Sequence, residues 1–418
     1  MSTISEEMSE IFYGNQIAQE IIHSSDKYDA VIIESYFLQE PVSALIHKFN
    51  CVGIEISSLG DSAWIAEMSG LPLNPAFQLD FKSRLSDEMS ILERIYNVYV
   101  TAASLAFSYY HMYPMQGIMD KYFNYTGWET RPPLQKLLIN RSLILVNSDP
   151  VLSYPYPTAP HVKNIAGLNL MPNKPLPNDL EEYMNGSEKG VIYVSLGSNL
   201  NTSEIMRSKI GHSFLKIFEN RPQRVIIKWE KEVEHSEMLQ NVRTGNWFPQ
   251  RDILAHKNCI LFVTHGGFLS LTESLFYGVP VIGLPFFGDQ PKNMIQVHKA
   301  GYGLMIKDDN ISVHSLTWAL KEILSNPRYR NEAQRRSQML RNRQHTPLAE
   351  AVYWVEHAIK YPNFLTPKSA FMSFWEKRIF DVGTFIIVIV SIISLFTTTM
   401  YISCKTNVRN KEQKAKLE

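Results

Sequence analysis

An imidazole followed by two glycines, His265-Gly266-Gly267, stands eight residues ahead of a carboxylate, Glu273, in a chain of 418 residues. The glycine pair lets a ligand approach the backbone closely. If a helix opens there, its free N–H groups and dipole form an anion site. His265, Leu269 and Glu273 are spaced four and four, so they share one helical face. His265 would then meet a diphosphate, and Glu273, two turns on, would reach vicinal hydroxyls such as those of a ribose. Asp289-Gln290 close the next apolar run, and one carboxylate beside one amide can hydrogen-bond sugar hydroxyls. Upstream, Trp247 and Gln250 flank Pro249 and offer an aromatic platform and an amide. Farther upstream, Gly190–Ser198 runs into a Gly-Ser turn, where the small hydroxyl of Ser198 suits a phosphate. A nucleotide-sugar needs this set of groups.

The elements that must position them are short-range features of the sequence. Ile260–Thr264 (ILFVT) is an apolar, β-branched run that predicts a buried parallel strand. Phe268–Tyr277 predicts a helix, ended by Gly278 and Pro280. Val279–Leu284 predicts a second strand, which delivers Asp289 and Gln290 near its carboxyl end, where open α/β sheets place their ligands. Gly190–Ser195 is a third buried strand.

The unbroken stretch Trp247–Gln290 resembles the signature of the UDP-glycosyltransferase family, and Gly190–Ser198, about fifty residues earlier, resembles that family's SLGS segment. The resemblance implies a GT-B type α/β fold of two Rossmann-like domains. It implies that Trp247 stacks on the uracil, that Gln250 bonds the base or the ribose, and that His265, Gly266 and Gly267 hold the diphosphate. Relatives often carry Asn where this chain has Leu269, which moves that phosphate contact to Ser270 or a backbone N–H. Tyr28–Glu34 looks like the strand that ends in the family's catalytic Asp, which places Glu34 there as the carboxylate that orients a general base. The base itself, a His in the family, has no counterpart among His23, His47 and His111. The implied reaction is inverting transfer of a sugar from a UDP-sugar to a hydroxyl of a small lipophilic acceptor. No cofactor or metal is expected, since dipoles and side chains can neutralise the diphosphate and no Asp-x-Asp motif is present. The HGGFLS variant looks more like the invertebrate branch and favours UDP-glucose over UDP-glucuronate as donor.

Organisation follows from composition. Lysine plus arginine equal aspartate plus glutamate at 41 each, so no basic field points to nucleic acid. Cys51, Cys259 and Cys404 lack metal spacing and form no disulfide framework. Val382–Cys404 carries no charge over 23 residues, enough for a membrane span of about 20 residues. Basic residues in the tail beyond it predict a cytosolic end. Lys414 and Lys416 match a dilysine endoplasmic-reticulum retrieval address. The expected domains are a partial acceptor-binding domain at 1–165, a UDP-sugar-binding domain at 166–361, a juxtamembrane segment at 362–381, the span at 382–404 and a cytosolic tail at 405–418. Pro155–Pro177 reads as the interdomain linker and Thr346–Tyr361 as a helix returning across the domain interface; Ser86–Tyr110 reads as a core helix, with a wall of the acceptor pocket or a membrane-touching surface as the alternative.

Met1–Lys27 is polar and shows no apolar core of a signal peptide. Set beside the family, the N-terminal domain is expected to be incomplete, without a signal peptide or the base His. The expected location is the endoplasmic-reticulum membrane, single-pass, with a lumenal body. N-x-S/T sequons at Asn124, Asn140, Asn185, Asn201 and Asn310 fit that side. Three readings remain open at this level. One is an active transferase. Another is a shortened form that binds UDP-sugar, or pairs with itself or intact relatives and modulates them. The third is a UDP-sugar epimerase, which can share a two-Rossmann fold.

Overall fold

A computed structural model describes residues 2–36, 38–60, 62–170, 172–198, 216–219, 221–229 and 239–415. Its first sheet joins β1 (Ala30–Ile33), β2 (Val52–Ser57), β3 (Leu143–Val146) and β4 (Val162–Asn164) in that order, all parallel. The second joins β5 (Val191–Ser195), β6 (Arg224–Lys228), β7 (Val242–Gly245), β8 (Cys259–Thr264), β9 (Val281–Gly283) and β10 (Gly303–Met305) in the order β10-β9-β8-β5-β6-β7, again all parallel. Each central strand is a short β-branched run buried on both faces, as a parallel sheet covered by helices requires. Along β5, Val191 and Tyr193 join one core and Ile192 and Val194 the other, the alternation that a period of two imposes.

Helices α1 (Ser2–Tyr13), α2 (Gln16–His23), α3 (Ala44–Phe49), α4 (Ala63–Met68), α5 (Ile91–Tyr122) and α6 (Leu134–Ile139) belong to the first half. Around the second sheet lie α7 (Asn178–Asn185), α8 (Gln250–Ala255), α9 (Phe268–Phe276), α10 (Gln290–Ala300), α11 (Val313–Ser325) and α12 (Arg328–Arg341). The chain then crosses back. In α13 (Pro347–Lys360), Ala351 and Ala358 pack with Val52, Ile54, Leu143 and Leu145 on the face of the first sheet. Two short apolar residues one helical repeat apart let α13 lie close to the strands. A short α14 (Phe374–Lys377) leads into α15 (Phe380–Ala415), the one helix among the described residues long and apolar enough to cross a membrane, with none of its apolar window buried.

The structure corrects one expectation of packing. Ser86–Tyr110 is not a core helix. Helix α5 begins at Ile91, where Ser90 and Glu93 form a reciprocal capping box, and it runs on to Tyr122 through Pro114. Over its first half the buried side chains are the polar Asn97, Thr101 and Ser104. Asn97 donates to the carbonyls of Pro75 and Gln78 at 2.8 Å each, and Ser104 donates to Asp80 at 3.2 Å. Ile91, Leu92, Ile95, Tyr96 and Tyr99 face outward and are exposed. The loop under this half needs donors for its free carbonyls, and that demand sets which face of the helix turns inward.

Asn124, Asn140, Asn185 and Asn310 are all exposed, while Asn201 and Lys416 lie outside the described residues. Cys51, Cys259 and Cys404 are free thiols. Burial pushes the Cys259 thiol up to about 12.

Candidate donor site at the switch point

The second sheet winds outward from β5 through β6 to β7, then returns to place β8 on the other side of β5. The direction in which strands are added therefore reverses between β5 and β8, and a crevice opens beyond the carboxyl ends of these two parallel strands. The Gly-Ser turn after β5 and His265-Gly266-Gly267 after β8 both sit there. The crevice has a volume of about 1170 Å³ and runs between the two halves, with Tyr36, Phe81, Lys82 and Arg84 on the side of the first sheet. Of the residues singled out by sequence, Ser198, Trp247, Gln250, His265, Gly267, Ser270, Glu273, Asp289 and Gln290 line it.

His265 is held between two glycines. A β-carbon on Gly267 would fall 2.6 Å from its Nε2, and one on Gly197 would fall 2.7 Å from its Cε1. Gly266 turns the chain at φ +86°. Burial pushes the imidazole down to about 4, with the Lys228 charge adding to the effect. The ring is therefore neutral near pH 7, with one N–H to donate and one nitrogen to accept. It stands at the N-terminal end of α9, where the backbone N–H groups are unpaired.

Farther along α9, four groups meet. Gln250 Nε2 donates to Glu273 Oε2 at 2.8 Å and lies 3.2 Å from Ser270 Oγ. Asn169 Nδ2 donates to Glu273 Oε1 at 3.2 Å. Burial raises the Glu273 carboxyl against the lowering effect of these amide donors. A diol entering here finds a carboxylate already oriented and two amides able to shift their bonds to it.

Trp247 is 73% exposed. A tryptophan that open to solvent does nothing for the core, and its ring is available as a stacking platform. Lys228, buried at the end of β6, places Nζ 5.2 Å from the Trp247 ring centre, 2.8 Å from the Gly197 carbonyl and 3.4 Å from Ser198 Oγ. Its charge reaches both the Gly-Ser turn and His265, and it was not singled out from sequence. A lysine closing the β-branched run of β6 at a ligand-facing strand end was the available signal. Asn169 carried no such signal, since it lies in the linker and reaches a residue 104 positions away.

At the far end, Asn293 Nδ2 donates to Asp289 at 2.6 Å, and burial raises the Asp289 carboxyl. Gln290 is 3% exposed, and its Oε1 accepts from the Phe286 and Phe287 amides at 2.9 and 3.2 Å. That side chain holds the loop before α10 as well as lining the crevice.

Glu34, just past β1, accepts hydrogen bonds from the amide and hydroxyl of Ser58. The three N-terminal histidines are occupied elsewhere. His23 bonds Gln19 at 3.2 Å, His47 bonds Tyr125 at 2.9 Å, and His111 lies 3.3 Å from Glu40. Among the described residues no imidazole meets Glu34. Nor do any three His, Cys, Asp or Glu side chains there converge as a metal site.

The family model described as UDP-glucoronosyl and UDP-glucosyl transferase matches residues 3–415. The chain is similar to the UDP-glycosyltransferase UGT4 of Dactylopius coccus, 33% identical over 375 residues, covering 89% of this chain and 73% of that protein. It is 32% identical to the human UDP-glucuronosyltransferase 3A2 over 373 residues, 87% of this chain and 68% of the relative. Among solved structures, the kitacinnamycin glycotransferase superposes with a TM-score of 0.57 at 18% identity, covering 88% of this chain and 82% of that one. The fold is GT-B.

Proposed function

This chain belongs to the UDP-glucoronosyl and UDP-glucosyl transferase family, a family of enzymes that transfer sugar from UDP-sugars, and on that premise we propose that its crevice holds UDP-glucose and passes the glucose, with inversion, to a hydroxyl of a small lipophilic acceptor. The observation that carries this reading is the convergence of Trp247, the Gln250–Ser270–Glu273 cluster and His265 at one switch point. Uracil stacks on Trp247, and Glu273 with Gln250 takes the ribose. The diphosphate lies at the N-terminus of α9, between neutral His265 and the Lys228 ammonium, with Ser198 and Ser270 as hydroxyl donors. Asp289 and Gln290 read the sugar. The acceptor enters from the side of Tyr36 and Phe81, so that its oxygen and the anomeric carbon are held together while UDP departs. Charge building on the leaving diphosphate is met by Lys228 and by amides that are already oriented.

Glucose is favoured over glucuronate on the HGGFLS variant at His265–Ser270, which looks more like the invertebrate branch. The proposed division assigns residues 1–165 to acceptor binding and 166–361 to donor binding. Helix α15 anchors the body to the endoplasmic-reticulum membrane, with the body lumenal and the Lys414 end cytosolic. Membership in this family sets the epimerase alternative aside. A second reading, a form that binds UDP-sugar without efficient turnover, is favoured by one observation, the Ser58-bound Glu34 with no imidazole beside it among the described residues. The test of the donor site is calorimetry with UDP. Trp247→Ala is expected to weaken binding by about 1–3 kcal/mol, the usual worth of one base stacked on an aromatic ring. Glu273→Ala should cost about 1–3 kcal/mol through the lost ribose contact. Unchanged affinity in both variants would sink the assignment.

A further inference from the structure

The wall of the crevice opposite the donor groups is aromatic at one end and cationic at the other. Tyr36, two residues past Glu34, sets its ring edge-on to Phe81 with ring centres 5.9 Å apart. Ser58, whose amide and hydroxyl donate to Glu34, lies on the same wall. Lys82 follows Phe81, and its Nζ stands 5.2 Å from the Phe81 ring centre and 5.1 Å from that of Phe107 in α5. At those separations the faces of both rings attract the ammonium. Arg84 lines the crevice as well. Among the described residues of the first half that line it, the charged ones are Lys82 and Arg84, and both are exposed to solvent.

The loop that carries these cations is fixed from inside. Asp80 is 1% exposed and accepts from the amides of Ala63 and Lys82 at 2.9 and 3.1 Å and from Ser104 Oγ at 3.2 Å. The Ser83 amide donates to the Asp80 carbonyl at 2.9 Å. The Asp80 carboxylate is thereby committed to donors inside the first half, and the backbone that presents Lys82 and Arg84 is held before any ligand arrives. Glu34 at one end and two cations at the other give the wall a polarity. A molecule with an acid group is turned so that this group faces Lys82 and Arg84 and points away from Glu34.

We propose that this wall selects acceptors that carry an acid group besides the reacting hydroxyl, of the class of hydroxylated aromatic carboxylates. The ring lies over Tyr36 and Phe81, the hydroxyl is turned toward Glu34, and the carboxylate meets Lys82 and Arg84. The proposal rests on the reading that the acceptor enters from the side of Tyr36 and Phe81. The diphosphate has its own cation, Lys228, on the donor side of the crevice. A neutral acceptor of the same size keeps the ring contacts and loses the ion pairs, so the wall discriminates by charge.

The experiment is calorimetry on the full chain in detergent micelles with UDP at saturation, titrating para-hydroxycinnamate and the neutral para-hydroxycinnamide. The parent is expected to bind the acid about three- to tenfold more tightly, the worth of ion pairs to two exposed cations. Added salt should narrow that gap. Lys82→Ala combined with Arg84→Ala should close it while the affinities for the amide and for UDP stay as they were. Both side chains are exposed, so the double variant should fold. Lys82→Glu combined with Arg84→Glu should invert the preference. Equal affinity for acid and amide in the parent, or a gap that survives in the alanine variant, overturns the proposal. A fall in UDP affinity in that variant overturns it in favour of a diphosphate contact. A fall confined to UDP-glucuronate, set against UDP-glucose, overturns it in favour of a contact to the donor sugar. A chain that binds UDP but neither phenol overturns the acceptor-side reading and the proposal with it, and one that binds none of the three overturns the donor reading too.

Discussion

At the scale of single residues, the space around His265 decides what the donor site can do. Gly267 has an ordinary helical-entry backbone with φ −62°, so alanine there is allowed conformationally. Its β-carbon would nonetheless sit 2.6 Å from Nε2. Gly267→Ala is therefore expected to leave the thermal midpoint close to wild type while reducing UDP affinity by about tenfold, the order of one hydrogen bond to a charged group. A variant that binds UDP as well as the parent would show that His265 does not face the diphosphate. The same imidazole makes stability depend on pH. Burial holds His265 and His161 at about 4 against 6.5 for an open histidine. Between those values the unfolded chain binds protons that the folded chain refuses, so stability falls as pH drops from about 6.5 toward 4. Thermal midpoints measured from pH 7 to pH 5 should decline. His265→Asn should flatten the decline, and a slope unaltered in that variant and in His161→Asn would contradict this account.

At the scale of elements, the junction between body and α15 hangs on one buried carboxylate. Burial alone would push the Glu67 carboxyl up, but the bonds from Arg378 and the Lys377 charge more than reverse this and hold it below its usual value. Its contribution is present above the unfolded value of about 4.5 and is lost as pH falls through the lowered one. Removing one partner of a buried pair leaves the other charges unpaired and costs about 3–5 kcal/mol. Glu67→Ala should therefore release the segment 366–379 to protease while the donor half still binds UDP. Equal protease resistance in the two proteins would mean that the clamp is decorative. Helix α5 shows the limit of reading elements from pattern. It carries apolar residues on both faces, so periodicity alone does not say which face is buried. The carbonyls of Pro75 and Gln78 beneath it do.

At the scale of the whole molecule, the two halves meet across the crevice. Lys299 of α10 lies 2.6 Å from Asp87 and 3.2 Å from Glu88, in the loop that leads into α5. The element that carries Asp289 and Gln290 is thereby tied to the acceptor side. Among the described residues no imidazole stands opposite Glu34, and general-base assistance in a transfer is worth about a hundred- to ten-thousand-fold. Glu34→Gln is expected to slow sugar transfer to a panel of phenols by up to that order, and unchanged turnover would remove Glu34 from the reaction. Competition between donors should favour UDP-glucose, and faster glucuronate transfer would reverse the preference argued from the HGGFLS variant.

The sequence by itself determined the local units of the donor site: the strand before His265, the glycine turn, the helix carrying Ser270 and Glu273, and the apolar length of α15. Each depends on short-range backbone preference and on burial repeating at a fixed period, and both are written within ten to twenty residues. Tertiary structure decided what those units meet. Sheet order brings Lys228 from β6 to Trp247 and Gly197 from the β5 turn against His265. The linker contributes Asn169 to Glu273 only because the chain crosses between halves at that point. Lys299 of α10 reaches Asp87 across the crevice in the same way. Contacts such as these join residues far apart in the chain, and no local pattern encodes them, because each depends on which strand lies beside which.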